Sequence, residues 1–194
     1  MPNTKRPYHP LPDDYLALIA ARDVLSLTIM GKDPYPTEPM GIPFCKPTWD
    51  TMCEDRASGL HVLLSLGVDI DTERERHQSP RELYCCLARD RGIAFTNLSY
   101  HYLGESARRD RHSQELRSAE SINCEIVGKS RALILCGEAS KRRWYSNTPP
   151  AGIQKSVVHP DNRCRISPYD AVRSGWLEWW QPRAIEKWLA EIGC

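Results

Sequence analysis

The chain has 194 residues with 26 Lys and Arg against 25 Asp and Glu, and a net charge of +1 neither demands nor excludes a polyanionic partner. An apolar content of 41% and a charged content of 26% exclude a disordered chain, and no apolar run approaches the roughly 18 residues that a membrane-spanning helix needs. The expectation is one domain over residues 1–194, with the polar, Pro-rich residues 1–12 as an arm lying on its surface.

The N-terminus is basic but lacks the apolar core of a secretory signal, so a cytoplasmic protein is expected. The eight cysteines, Cys45, Cys53, Cys85, Cys86, Cys124, Cys136, Cys164 and Cys194, contain no Cys-x-x-Cys. Most read as buried thiols acting as small apolar side chains, and no metal is expected.

Asp13 is placed to cap a first helix whose stripe is Leu16, Ile19 and Ala20. Leu25–Met30 then reads as a buried strand running into Gly31-Lys32-Asp33-Pro34-Tyr35-Pro36, where Pro forces the chain out of the sheet. A loop rich in Pro and Gly follows through Pro47 and carries Gly41-Ile42-Pro43-Phe44. Residues 48–66 read as one helix, and Asp69 to Ser79 as an exposed charged stretch. Pro80 opens a helix that ends at Gly92 and leads into a second buried strand, Ile93–Leu98. A helix around 119–129, a third strand at Ala132–Cys136, helical residues 139–144 and a short strand Ser156–Val158 come next, before a helix bounded by Pro182 and Gly193.

Strands alternating with helices imply right-handed crossovers and a parallel sheet covered on both faces, that is, a three-layer α/β/α sandwich around four parallel strands. All four strands then point the same way, so Asp33, Asn97, Gly137-Glu138 and His159 converge on one edge. The Asn97 amide offers a donor and an acceptor suited to the edge of a planar heterocycle. Asp33 can accept a proton from water or stabilise developing positive charge, and His159 can donate a hydrogen bond to developing negative charge. Tyr35 and Phe44 can sandwich an aromatic ring.

In this order, Gly31-Lys32-Asp33-Pro34-Tyr35, Gly41-Ile42-Pro43-Phe44, Phe95-Thr96-Asn97-Leu98, Ala132–Gly137 and Val158-His159-Pro160 resemble the motifs of the uracil-DNA glycosylase superfamily, over roughly residues 13–192. The resemblance is to the branch with the Gly-Gln-Asp-Pro-Tyr-His motif. It implies a monofunctional enzyme that flips uridine out of single- or double-stranded DNA and hydrolyses the N-glycosidic bond without cofactor, as a monomer away from membranes. Asp33 and His159 are the implied catalytic residues, and Lys32, Tyr35, Phe44 and Asn97 the base-binding ones. Pro160, Ser58, Arg142, Arg143 and Arg163 are expected at the DNA.

Lys32 stands where the family has Gln, bringing a positive charge to the pocket or to a flanking phosphate, and Pro36 stands where it has His. After His159-Pro160 the chain reads Asp161-Asn162-Arg163-Cys164, which puts Arg163 near the position of the family's wedging Leu. The Arg and Lys at 108–111 and 141–143 are further candidates for phosphate contacts. Two alternatives stay open: a glycosylase for hypoxanthine, xanthine or a hypermodified cytosine, and a non-catalytic binder of damaged or single-stranded DNA.

Overall fold

A computed structural model describes residues 7–35, 40–103, 114–137, 152–161, 172 and 175–194. Among these residues, four strands form one sheet: β1 (Leu25–Gly31), β2 (Ile93–Asn97), β3 (Ser130–Cys136) and β4 (Ile153–Val157), in the order β2-β1-β3-β4. Every pairing is parallel, with Gly31 opposite Asn97, Met30 opposite Leu135, and Cys136 opposite Val157. The chain winds outward from β1 in both directions, so the order reverses between β1 and β3. In such sheets the crevice beyond the strand ends at that reversal is the natural ligand site.

The alternation of side chains along each strand divides the core between two faces. Leu25, Leu27 and Ile29 of β1 join Ala132, Ile134 and Cys136 of β3 in the larger cluster, with Tyr15, Leu63, Tyr84, Leu87, Trp180 and Ile185. Met30 joins Leu133, Leu135, Leu98 and Leu103 in a smaller cluster on the other face, covered by Val127. The three-layer α/β/α sandwich is therefore present.

On the larger face lie α1 (Asp13–Ala20), α3 (Ser58–Ser65), α5 (Pro80–Arg91), α7 (Trp176–Trp180) and α8 (Ala184–Glu191), and α6 (Glu120–Gly128) covers the smaller one. Pro80 opens α5 and Gly92, in the left-handed conformation, closes it. α1 is capped differently from expectation. Pro12 holds the N-cap position without a side-chain bond, and Asp13 and Asp14 sit in the first turn, where the helix dipole favours them.

Residues 48–66 are two helices, α2 (Trp49–Met52) and α3, and not one. The reason is a close approach: a Cβ on Gly59 would collide with the Phe44 carbonyl and lie 2.6 Å from Met52 Cε, so the chain bends between 53 and 57 to bring α3 under that loop. The charged stretch after Asp69 is a helix, α4 (Ile70–Arg76), with no buried residue. It is held by the Asp69 cap on Thr72 and by the Arg76–Glu73 ion pair, and no apolar stripe announces it. β4 begins at Ile153, earlier than its apolar residues indicate, because an edge strand exposed from Ile153 to Ser156 needs no apolar alternation. The expected helix at 139–144 lies outside the described residues.

The N-terminal segment lies against the fold. Tyr8 bridges His101, the His9 N–H donates to the Tyr100 carbonyl at 2.8 Å, and the Tyr102 N–H donates to Pro7 at 3.1 Å. Leu11 is buried, and Pro10 and Pro12 abut Gly41 in the loop that carries Phe44.

Candidate functional site

The pairing of β1 with β2 continues past both strand ends. The Leu98 N–H donates to the Gly31 carbonyl at 2.9 Å and the Ser99 N–H to the Lys32 carbonyl at 3.0 Å. This pins the Gly31-Lys32-Asp33 turn against the segment after Asn97. Gly31 is the hub. A Cβ there would sit 2.5 Å from Asn97 Oδ1 and 3.2 Å from Phe44 Cζ, so the absence of a side chain is what lets an amide and an aromatic ring meet at the end of β1.

Asn97 is 4% exposed, yet among the described residues nothing hydrogen-bonds its side-chain amide. Its backbone is fixed instead: Asn123 Nδ2 donates to the Asn97 carbonyl at 2.8 Å, and Thr96 Oγ1 donates to Asn123 Oδ1 at 2.5 Å. The amide makes no hydrogen bond to the described residues, and a ligand with a matching donor and acceptor can satisfy it.

Phe44 is 5% exposed and has φ of 66°, a left-handed conformation costly for a bulky residue. Its ring lies 6.0 Å from the His159 ring at an interplanar angle of 42°. His159 is also close to the end of β3, where a Cβ on Gly137 would come within 2.8 Å of the His159 Cβ. The Gly137 N–H donates to Val157 at 2.9 Å, and Trp180 Nε1–H of α7 donates to the Val158 carbonyl at 2.9 Å, holding the approach to His159 from both sides. The Asp161 N–H donates to His159 Nδ1 at 3.1 Å. That nitrogen is therefore an acceptor, and the neutral imidazole carries its proton on Nε2.

Asp33 Oδ2 accepts the Leu103 N–H at 2.7 Å, and Lys32 Nζ lies 3.4 Å from Asp33 Oδ1, with side chains 21% and 9% exposed. Tyr35 lies beside them. Burial pushes its phenol above its ordinary value, while a hydrogen bond with Ser58 pulls the other way, so the hydroxyl stays neutral at ordinary pH. Lys46 Nζ stands 3.9 Å over the Tyr35 ring, a cation–π contact.

The sequence-derived candidates thus divide. Gly31, Phe44, Asn97 and His159 are brought together, Lys32 and Asp33 form a pair on the same turn, and Ser58 is buried and bonded to Tyr35 from within the site. Pro160 is buried next to His159. Arg142, Arg143 and Arg163 lie outside the described residues, as do Glu138 and the Arg cluster at 108–111. His101 packs on Tyr8, ring centroids 4.8 Å apart.

The residues that sequence reasoning missed act mostly through backbone atoms, as Leu103 and Asp161 do, and any residue type supplies those. Asn123 did leave a signal, a polar residue among the apolar positions of α6.

No family model matches the chain, and no curated protein matches its sequence. Among solved structures, the chain is similar to the crystal structure of the wild-type UNG from Nitratifractor salsuginis, at 19% identity and a TM-score of 0.50, covering 88% of this chain and 80% of that one. A point mutant of the same UNG is similar at 18% identity and a TM-score of 0.50, over 91% of this chain and 83% of the other. At such identity the likeness is one of fold.

Proposed function

We propose that the protein is a DNA glycosylase that hydrolyses the N-glycosidic bond of uracil in single- or double-stranded DNA, acting on a flipped-out nucleotide. The observation that carries this reading is the Asn97 amide, 4% exposed as a residue, unpartnered among the described residues and set against the Phe44 ring over Gly31. A planar base with one donor and one acceptor on its edge fits that amide, and the ring beside it supplies a stacking face. The likeness in fold to UNG, a uracil-DNA glycosylase, supports the same reading.

In this mechanism Asn97 reads the uracil edge, and cytosine presents the opposite pattern. Tyr35, anchored by Ser58, fills the space that a thymine methyl needs. As the glycosidic bond breaks, negative charge collects on the base and positive charge on the sugar. His159, its proton on Nε2, donates to the anionic base. Asp33, held by Leu103, faces the cationic sugar and orients the attacking water. The products are free uracil and an abasic site.

The test is incubation of labelled oligonucleotides, each with one uracil, hypoxanthine, xanthine or thymine, followed by hot alkali. Scission is expected at uracil, reduced at least about a hundredfold in Asp33→Asn and His159→Ala. Binding without scission at uracil overturns the reading. Scission confined to another base moves the substrate, not the chemistry.

A further inference from the structure

Hydrolysis of a glycosidic bond asks for a carboxylate and a donor to the leaving base, but it has no use for a primary amine, and the site holds one. Lys32 Nζ is 3.4 Å from Asp33 Oδ1, and both side chains are largely withdrawn from solvent. The two residues are pinned at other points, Lys32 by its carbonyl on Ser99 and Asp33 by its second oxygen on Leu103. The Lys32 amine therefore stands beside the carboxylate that the proposed mechanism sets at the sugar. A water oriented by Asp33 toward the sugar and the Lys32 amine then approach the same carbon.

The product of base release carries a reactive group at that carbon. C1′ of an abasic deoxyribose is a hemiacetal in equilibrium with an open-chain aldehyde, and lysine amines condense with aldehydes when a neighbouring base takes up their proton. We propose that Lys32 forms a Schiff base with C1′ of an abasic site and that the protein is therefore also a lyase, cutting the strand on the 3′ side of the site it makes. This rests on the glycosylase reading for the placement of the sugar.

The steps balance. Lys32 passes a proton to Asp33 Oδ1, and its freed electron pair forms the N–C1′ bond. Asp33 returns that proton to the aldehyde oxygen, takes a second from the carbinolamine nitrogen and passes it to the resulting hydroxyl, which leaves as water and gives the protonated imine. Asp33, again a carboxylate, takes a proton from C2′. The C2′–H electrons form the C2′=C3′ double bond, and the C3′–O bond breaks with its pair leaving on the phosphate. Water then hydrolyses the imine and returns Lys32 as its ammonium, and Asp33 releases the C2′ proton to solvent. The ion pair of the free protein thus joins the nucleophile to the base that activates it.

The experiment uses the full chain with a duplex oligonucleotide in which the abasic site has been made beforehand, in the presence of sodium borohydride. The expected result is a covalent protein–DNA adduct on a denaturing gel, with the reduced linkage mapped to Lys32 by peptide mass spectrometry. Strand scission without alkali is expected when borohydride is left out. Lys32→Gln and Lys32→Arg should each lower the adduct at least tenfold, with circular dichroism showing that they fold. No adduct with the unaltered chain, an adduct mapped to another amine, or equal trapping by folded Lys32→Gln overturns the proposal and leaves Lys32 as an ionic contact only. A preformed site needs no base release, so trapping without uracil excision sinks the uracil reading alone, and excision without trapping sinks the lyase alone.

Discussion

At the scale of single residues, the site depends on side chains that are missing as much as on those present. Gly31→Ala places a methyl 2.5 Å from Asn97 Oδ1 and 3.2 Å from the Phe44 ring, and neither neighbour is at the tip of a long flexible chain. Displacement of the amide by about 1 Å is expected to lower single-turnover base release about a hundredfold, with the melting temperature changed by only a few degrees. An unchanged rate would mean that Asn97 does not read the base. The His159 tautomer is a second residue-scale test. A nitrogen-15 spectrum at neutral pH should show the ring proton on Nε2, because Nδ1 accepts the Asp161 N–H. The opposite tautomer would remove the donor assigned to the leaving base.

At the scale of elements, α7 matters through one bond. Trp180→Phe keeps most of the buried ring area but removes the donor to the Val158 carbonyl. Stability should fall by about 1–3 kcal/mol in denaturant unfolding, and kcat for base release should fall more than KM changes, since the strand end leading to His159 loosens. A loss of stability with kcat intact would make Trp180 a core residue and nothing more. Elements are also where the reach of the sequence is clearest. Strands such as Leu25–Gly31 and Ile93–Asn97 are mostly apolar runs, broken only by Ser26, Thr28 and Thr96 before they reach their ends at Gly31 and Asn97, and burial on both faces of a parallel sheet favours that pattern. Their ends bring Gly31 and Asn97 into register, so much of the site follows once the sheet is parallel. What stayed hidden depends on tertiary contact. The break between α2 and α3 answers to the Phe44 carbonyl, α4 buries nothing that a periodicity could reveal, and one partner of Asp33 is the backbone of a residue 70 positions away.

At the scale of the whole molecule, the sheet and its two covering layers also set the chemistry of the thiols. All seven described cysteines are free, with Cys45 and Cys136 buried and the others half-buried. Burial pushes the Cys45 thiol up to about 12 from an ordinary 9.0, and pushes Cys136 up as well. At pH 8 in the folded protein, a thiol reagent should therefore modify Cys53 and Cys86 well before Cys45 and Cys136, as read by peptide mass spectrometry. Early modification of Cys45 would contradict its burial. The same shifts have a sign in stability. Folding holds a proton that the unfolded thiol gives up, so the contribution is complete below the unfolded value and declines as pH rises from about 9 toward 12. Melting temperature should fall across that window, and less steeply in Cys45→Ala.

The strand order has one more consequence, and it concerns synthesis. β1 is made first yet has no neighbour until Ile93–Asn97 has been translated, and the switch point is bounded only when Ser130–Cys136 follows. His159 comes later still, and the tryptophan that steadies its approach is at position 180 of 194. A nascent chain on the ribosome therefore carries Asp33 through most of its elongation without the groups it is meant to work with. Under the proposed reading, a stalled or truncated product that ends before residue 159 lacks the donor to the leaving base, so base release by an unfinished chain is not expected.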